Sequence, residues 1–406
     1  MNKNNNNKDI NKALLIILLG ALAALGPLSI DMYIPGFEQM AKEFGTDVSE
    51  LAFTITSYFI GITIGQLAYG PLIDKYGRRK PLLYALVLYI AASLGCAFST
   101  SLELMTTLRF FQALGGSAGM VSGLAIISDT YEPDKRAKAF SLIMLVMGVA
   151  PILAPSGGSF LVKHFRWQTV FYFLVVFSVI LVLVVYFFLP ETGKYMYSGK
   201  LKVKKALKDY MTITKSKTFL FYALGGSIAN SILFAYVASS PFVFMTYYGV
   251  SPTVFAVLYG INAGGVLLGN YANSLLTKKY HYINIMNIIS VVLAALAVPF
   301  AVLIYFYPTI PFEWVVVGIF LLEFCIGITY PNAVSASLAP FKELSGSASA
   351  LNGSFMMGFS AIVTAVIGVL AASSAFTMVA VMAMLAILTV IFLQIARRFA
   401  PKDEPN

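Results

Sequence analysis

The chain is built from apolar runs of about twenty residues, separated by short charged turns. A run of that length crosses a hydrocarbon layer of roughly 30 Å as an α-helix, which rises about 1.5 Å per residue. With 59% hydrophobic and 11% charged residues, the chain carries more apolar surface than a water-soluble core can bury. The runs lack the residue alternation of an outer-membrane barrel, so the sequence predicts an all-α membrane protein.

Twelve membrane spans can be assigned from the apolar runs. They are residues 12–32, 50–70, 81–98, 102–128, 139–161, 168–189, 218–240, 253–276, 283–306, 313–339, 346–371 and 375–396. We interpret the first run as an uncleaved helix rather than a signal peptide, because many further spans follow it. A long polar segment divides the spans six and six. The sequence therefore predicts an N-terminal six-helix bundle at 1–190, a cytoplasmic linker at 191–217 with an amphipathic stretch at 200–210, and a C-terminal six-helix bundle at 218–406.

The distribution of positive charge predicts the orientation of the chain. If the N-terminus is cytoplasmic, all but four of the 28 Lys and Arg residues fall in cytoplasmic loops and tails; Lys42, Lys163 and Arg166 lie outside and Arg109 lies within a span. Cytoplasmic loops of membrane proteins carry this excess. We therefore expect a multi-pass protein of the bacterial cytoplasmic (inner) membrane with both termini in the cytoplasm. The net charge of +10 then indicates lipid contact rather than a nucleic-acid partner.

The two sets of spans show a weak internal similarity. A shift of 199 residues, from position 61 to position 260, places three glycines and a lysine of the first set on the same residue types in the second. The matched residues are Gly61, Gly65, Gly70 and Lys80, which fall on Gly260, Gly264, Gly269 and Lys279. The same shift places Asp74 on Asn273 and Arg78 on Thr277. The second copy therefore keeps the small residues that allow helices to pack closely but loses the charges.

The turn at residues 70–80 reads Gly-Pro-Leu-Ile-Asp-Lys-Tyr-Gly-Arg-Arg-Lys. Its glycines allow close backbone approach, and Asp74 can pair with the neighbouring cations. The turn resembles the loop between the second and third helices of major facilitator superfamily transporters, Gly-x-Leu-x-Asp-x-x-Gly-Arg-Arg-Lys, and matches every fixed position. The resemblance implies the major facilitator fold, with twelve transmembrane helices in two pseudo-symmetric six-helix halves. The alternative is a charged turn that only sets topology.

Three ionisable residues lie well inside the spans, where each costs several kcal/mol unless it faces protein, water or a partner. Asp31 and Arg109 are expected at a similar depth and can meet within the N-terminal half. A static buried ion pair is the alternative to a functional one, although such pairs stabilise proteins poorly. Glu323 is either a second proton site, a group that attracts cationic drugs, or a carboxylic acid that stays neutral and hydrogen-bonded.

Two further segments are similar to drug/proton antiporters. Residues 109–116, with Arg109 and Gln112, resemble the fourth-helix pattern Arg-x-x-Gln-Gly-x-Gly, although Ala113 replaces its first glycine. The residues that resemble the fifth-helix pattern Gly-Pro-x-x-Gly-Gly are Gly148, Pro151, Pro155 and Gly158. Together with residues 29–35, Ser-Ile-Asp-Met-Tyr-Ile-Pro, these segments look most like the bicyclomycin and chloramphenicol resistance branch (Bcr/CflA) of the superfamily.

This resemblance implies a proton-coupled multidrug efflux antiporter that exports hydrophobic drug-like compounds by alternating access. Asp31 and Arg109 would couple proton and drug binding. Asp74, Arg78 and Asp129 match a charge network that would act as a conformational latch; a plain helix-end charge is the alternative for Asp129. The alternative for the whole chain is a proton-coupled symporter or facilitator of a small metabolite.

Polar side chains inside the spans are the candidates for the drug site, since such sites combine apolar walls with a few polar groups. They are Asp31, Tyr33, Arg109, Gln112, Asn230, Tyr236, Asn262, Glu323, Tyr330 and Asn332. An enzyme is not expected, because the chain lacks His-Glu-x-x-His, Gly-x-Ser-x-Gly and phosphate-loop motifs. Cys96 and Cys325 are too few for a metal site, and we expect no cofactor and a monomer.

Overall fold

The computed structural model describes residues 12–131, 133–193, 203–341, 344–370 and 374–399. Within these ranges the chain is helical and contains no strand. The helices are α1 (Lys12–Asp31), α2 (Phe37–Phe44), α3 (Ala52–Tyr76), α4 (Arg79–Ala97), α5 (Leu102–Thr130), α6 (Pro133–His164), α7 (Gln168–Phe188), α8 (Val203–Thr214), α9 (Lys217–Ser240), α10 (Pro252–Leu276), α11 (Tyr282–Phe306), α12 (Phe312–Leu338), α13 (Ser345–Val369) and α14 (Ala375–Arg397). Short helical turns at Ile34–Gly36, Val48–Leu51 and Pro241–Tyr247 connect some of them.

The long helices confirm the prediction of an all-α membrane protein. In the part of the chain that the structure describes, 11 helices are long and apolar enough to cross a membrane. The 32-residue α6 is a further long helix, and each predicted span matches one of these helices. Large apolar side chains such as Ile17, Tyr84 and Val176 are exposed on the outside of the bundle, where hydrocarbon rather than water would cover them.

The structure adds two elements to the predicted spans and extends one of them. Helix α3 continues through Pro71 to Tyr76, six residues beyond the predicted end of its span at residue 70. Helix α2 is short and ends at Gly45, whose φ of 67° is the left-handed conformation that glycine adopts without strain. Helix α8 lies in the predicted linker; residues 194–202 of that linker lie outside the described ranges.

Close helix packing depends on glycines that let one backbone approach another. Helix α3 packs on α5 at Gly61, where an added Cβ would stand 2.5 Å from the carbonyl oxygen of Phe110. Helix α10 packs on α12 in the same way at Gly265, where a Cβ would stand 2.8 Å from the carbonyl oxygen of Phe320. Glycines with equivalent contacts are thus 204 residues apart, from 61 to 265.

The predicted shift of 199 residues was therefore wrong in register. Gly264 has no neighbouring atom within 4 Å of an added Cβ, and Gly260 faces Ile152 of α6 rather than α12. Of the three glycines matched in the second set, Gly269 is the one that packs on α12, against the backbone of Phe324. Close backbone contact between helices, which residue identity alone does not reveal, sets the true correspondence.

Helices α1–α7 and α9–α14 contact each other mainly through two pairs, α3 with α13 and α6 with α10. The α3–α13 contact carries hydroxyl groups: the Oγ1 atoms of Thr56 and Thr364 are 2.8 Å apart, and Ser354 donates to the carbonyl oxygen of Thr63 at 3.5 Å. Most other packing joins helices within α1–α7 or within α9–α14. The division at 190 and 218 into two bundles and a linker stays a prediction that fits these contacts.

Gly269→Ala is expected to destabilise the protein, because the new methyl group meets the backbone of α12 at Phe324. Overpacking of this kind costs about 1–3 kcal/mol. The matched control is Gly264→Ala on the same helix, which meets no atom and replaces a flexible residue with a better helix former. In thermal unfolding of the purified proteins in detergent, we expect a lower apparent Tm for Gly269→Ala alone. An equal effect of both substitutions would contradict the close packing of Gly269 on α12.

Candidate functional site

Asp31 is the last residue of α1 and is buried within the helix bundle. Its Oδ1 accepts a hydrogen bond of 2.7 Å from the hydroxyl of Tyr259 on α10. Helix α6 approaches the same place, since a Cβ on Gly158 would overlap the carbonyl oxygen of Met32. The carboxyl group is therefore enclosed by protein from both helix sets, rather than exposed to lipid.

Arg109 on α5 is fully buried, and two aromatic faces surround its charge. The guanidinium carbon lies 4.3 Å from the ring centre of Tyr33 and 4.2 Å from that of Tyr58. Its Nη1 donates to Gln112 Oε1, and Gln112 Nε2 donates to Ser93 Oγ at 2.8 Å. Cation–π contacts are stronger when they are desolvated, so this site holds a positive charge without a carboxylate.

The expected meeting of Asp31 and Arg109 does not take the form of an ion pair. In the described part of the chain the salt bridges are the two of Arg78, and Asp31 instead accepts from Tyr259. The physical reason is that Gln112 and the aromatic faces already hold the guanidinium. The alternative of a static Asp31–Arg109 ion pair was therefore wrong, and each group keeps its own set of partners.

A second polar group lies on α9, α10 and α12. The rings of Tyr259 and Tyr236 are 5.4 Å apart, and Asn262 Nδ2 donates to the hydroxyl of Tyr236 at 3.0 Å. Glu323 is fully buried on α12, where a Cβ on Gly265 of α10 would lie 3.5 Å from its own Cβ. Two predicted residues, Asp31 and Asn262, are thus hydrogen-bonded to a pair of adjacent phenols that includes a third, Tyr236, and the fourth, Glu323, lies on the neighbouring helix α12.

The remaining predicted pocket residues lie elsewhere. Asn332 exchanges amide hydrogen bonds of 2.7 and 3.3 Å with Asn273 between α12 and α10. The hydroxyl of Tyr330 contacts Met356 Sδ at 2.7 Å. Asn332 follows Glu323 by nine residues on α12, which is about 14 Å along the helix axis. The Asn332–Asn273 amide pair is therefore a separate contact from the group around Glu323. Asn230 is buried on α9.

The turn between α3 and α4 brings the three predicted latch residues together. Arg78 Nη1 pairs with Asp74 Oδ1 at 2.6 Å, and Arg78 Nε pairs with Asp129 Oδ2 at 2.9 Å. Partial burial opposes the charge of Arg78, but hydrogen bonds and charge from the two carboxylates outweigh it and raise its pKa. The guanidinium consequently stays charged throughout the physiological range.

Glu191, which follows α7, completes this turn. Its carboxylate accepts hydrogen bonds of 2.7 Å and 3.2 Å from the backbone amides of Arg78 and Arg79 at the start of α4. Those amides are unsatisfied donors at the positive end of a helix, where an anion is favourable. Gly77 has a φ of 85° and lies against the same carboxylate, so a side chain there would be both strained and obstructed.

The fifth predicted span, α6, runs as one helix through Pro151 and Pro155. Pro155 and Gly158 are buried, and Gly158 lies against the end of α1 beside Asp31. Gly148 belongs to the same helix, but its surroundings are outside the described residues. The antiporter role of these four residues stays a prediction, although Gly158 does lie where α6 can influence the acid.

Sequence reasoning missed three residues of the site. Tyr58 and Tyr259 are single hydroxyls in apolar spans, and no local pattern distinguishes them from tyrosines that face lipid. Glu191 lies in Leu-Pro-Glu-Thr at 189–192, a segment similar to the end of the sixth helix in the superfamily. That resemblance was a signal for Glu191, but it did not reveal which backbone amides the carboxylate binds.

Long apolar helices with ionisable side chains buried between them define a multi-pass membrane protein with a polar interior. The sequence profile of the Major Facilitator Superfamily matches residues 19–365, and the chain belongs to that family. Members of this family are transporters, which agrees with the expectation that the chain is not an enzyme. The family resemblance and the fold class predicted from the sequence are thus confirmed.

Two relatives and one solved structure illustrate the likeness. The chain is 34% identical over 357 residues to the MFS-type transporter YdgK of Bacillus subtilis, covering 87% of this chain and 88% of YdgK. It is 27% identical over 354 residues to a bicyclomycin resistance protein homolog of Haemophilus influenzae, covering 86% and 87% of the two chains. A bacterial homolog of the lysosomal transporter Spinster has the same fold, with a TM-score of 0.70 at 13% identity, covering 97% of this chain and 98% of its own.

Glu191→Ala is expected to lower the stability of the protein, because it removes the acceptor for the first amides of α4. Loss of such a helix cap costs about 1–2 kcal/mol. Glu191→Gln keeps an acceptor oxygen but loses the charge, so its cost should be smaller. Thermal unfolding in detergent should rank the apparent Tm as wild type, then Gln, then Ala. A Tm for Ala equal to that of the wild type would contradict the capping role.

Proposed function

We propose that the chain is a proton-coupled exporter of hydrophobic drug-like compounds that works by alternating access. It would lie in the bacterial cytoplasmic membrane as a monomer, with both termini in the cytoplasm. The observation that carries the proposal is the buried Asp31, which accepts from Tyr259 across the two helix sets. The name of one relative, a bicyclomycin resistance protein homolog, supports a drug as the cargo.

Asp31 is the proton carrier in this proposal. When the carboxylate is ionised it is a strong acceptor for the hydroxyl of Tyr259, and protonation weakens it as an acceptor. A proton from the outside therefore loosens the contact between α1 and α10, and its release to the cytoplasm restores that contact. Drug binding and protonation of Asp31 compete with each other in this proposal. The inward flow of protons therefore drives the drug outward.

Arg109 keeps a fixed positive charge close to this site. Its guanidinium stacks on Tyr33, which lies two residues beyond Asp31 in the chain. Arg109 Nε and Nη2 are buried and have no hydrogen-bond partner among the described residues. These N–H groups can donate hydrogen bonds to a polar group of the drug, or to the carboxylate of Asp31 in another conformation. Arg109 would then favour the ionised acid once the proton has left.

The available energy is sufficient for export. One elementary charge that moves through 100 mV yields about 2.3 kcal/mol. That energy supports a concentration ratio of more than about tenfold for one drug molecule per proton. A neutral drug exchanged for one proton would use both the electrical and the chemical parts of the proton gradient.

Asp31→Asn is expected to abolish proton-driven export, because the amide cannot exchange a proton. Inside-out membrane vesicles with an acidic interior should accumulate radiolabelled chloramphenicol or bicyclomycin when they carry the wild type, and only to background with Asp31→Asn. Tyr259→Phe keeps the acid and should retain part of the rate. Wild-type vesicles that lose substrate under the same gradient would support the symporter, and full accumulation by Asp31→Asn would exclude Asp31 as the carrier.

The turn at Arg78 would act as the conformational latch. Its bonds join the ends of α3, α4, α5 and α7, so they hold these helices together at the cytoplasmic face. Asp74 is mostly exposed and lies within electrostatic range of Tyr210 on α8. Burial, together with the charges of Asp209 and Asp74, raises the pKa of Tyr210. The latch thus adjoins α8, which packs on α13 in the other helix set.

Arg78→Ala is expected to slow transport about tenfold and to leave the Kd for drug within about twofold, because the substitution disturbs a conformational step far from the drug site. Lys80→Ala removes an exposed cation from the same turn and is the matched control, with near-normal transport expected. Transport in vesicles and drug binding to purified protein measure the two effects. Loss of drug binding with Arg78→Ala would indicate misfolding and contradict the latch.

A further inference from the structure

Glu323 is a buried acid that the proton mechanism above does not use. It lies near the middle of α12, is fully buried, and neither carboxyl oxygen has a hydrogen-bond partner among the described residues. The ion pairs of the described ranges all belong to Arg78, so no cation of the chain pairs with it there. An acid without partners inside a membrane is costly, and a purely structural acid would have donors around it.

The surroundings of Glu323 supply acceptors and aromatic rings. Gly265 on α10 lets the two helices approach, since a Cβ there would lie 3.5 Å from the Cβ of Glu323. Asn262 precedes Gly265 by about one turn on the same helix, and its Oδ1 is likewise buried without a partner. Asn262 also donates through Nδ2 to the hydroxyl of Tyr236 at 3.0 Å, and the ring of Tyr259 lies 5.4 Å from that of Tyr236. The site therefore contains a carboxylate and an amide oxygen that can accept hydrogen bonds, and the described residues supply no donor to either of them.

The N-terminal helices contain the complementary arrangement. There the chain supplies its own cation, and Arg109 stacks on Tyr33 and Tyr58. Within the six C-terminal spans the sequence has no Lys or Arg apart from Lys217 and Arg397, which lie in terminal turns. The cation that matches Glu323 must therefore come from outside the chain. A proton would neutralise the acid, but it would leave Asn262 Oδ1 without a hydrogen-bond donor and the aromatic rings without a cation.

We propose that Glu323 binds the positive charge of a hydrophobic organic cation, so that the substrate class includes cationic as well as neutral compounds. The carboxylate supplies the counter-charge, the rings of Tyr236 and Tyr259 supply an aromatic wall, and Asn262 Oδ1 supplies a further acceptor. This inference rests on the proposed export function and narrows its substrates. A neutral drug would bind without needing the charge of Glu323.

The test compares two ligands on the purified full-length protein. Ethidium, a permanent cation, and chloramphenicol, which is neutral, are titrated against the wild type and Glu323→Gln, with Glu313→Gln as the matched control. Glu313 is an exposed acid on the same helix, so its replacement changes the net charge equally. We expect Glu323→Gln to weaken ethidium binding by about tenfold or more, and both variants to bind chloramphenicol within about twofold of the wild type.

Three results would overturn the inference. The first is an unchanged Kd of Glu323→Gln for ethidium. The second is an equal loss of both ligands in Glu323→Gln, which would assign the acid to folding or to proton transfer. The third is a wild type that binds chloramphenicol but not ethidium, which leaves the export proposal intact. A wild type that binds neither ligand counts against the drug-export function itself, so the two failures are distinguishable.

Discussion

The cost of placing a charge between membrane helices governs the interior of this protein. The buried ionisable groups differ in the partners that stabilise them. Arg109 is matched by aromatic faces and an amide, and Asp31 by a phenol from a distant part of the chain. Glu323 has no partner among the described residues. A group with fixed partners tends to stay in one state, whereas a group with few partners changes state when a proton or a ligand arrives.

The parts of the structure that depend on short stretches of sequence could be predicted. Hydropathy places each long helix, because every membrane span must satisfy its own backbone hydrogen bonds and needs about twenty apolar residues. The Arg78 turn is also local, since Asp74 lies one helical turn before Arg78. Asp129 was matched to the same network only through the family resemblance, as it lies 51 residues away.

Contacts between distant helices could not be read from the sequence. Tyr259 lies 228 residues from Asp31, and nothing in the apolar residues around it indicates a hydrogen-bond partner. The same limitation explains the incorrect repeat register. Gly264 and Gly265 are adjacent glycines, and only their rotation about α10 decides that Gly265 packs on α12 while Gly264 contacts nothing. A difference of one residue turns a side chain by about 100° around a helix, and identity matching does not detect it.

Under the proposed export mechanism, the arrangement of charges would let the two helix sets move against each other. The ion pairs of Arg78 lie within α1–α7 and stiffen that set. Apart from the bond to Asp31, the contacts between the sets in the described part of the chain are neutral, formed by hydroxyl groups, the Gln66 amide, small residues and apolar side chains. Such neutral contacts rearrange at little electrostatic cost. The bond from Tyr259 to Asp31 is different, because its acceptor is a carboxyl group. Of the described hydrogen bonds between the sets, it is the one whose acceptor can take up a proton, so the proposed proton site lies on the interface between the two helix sets.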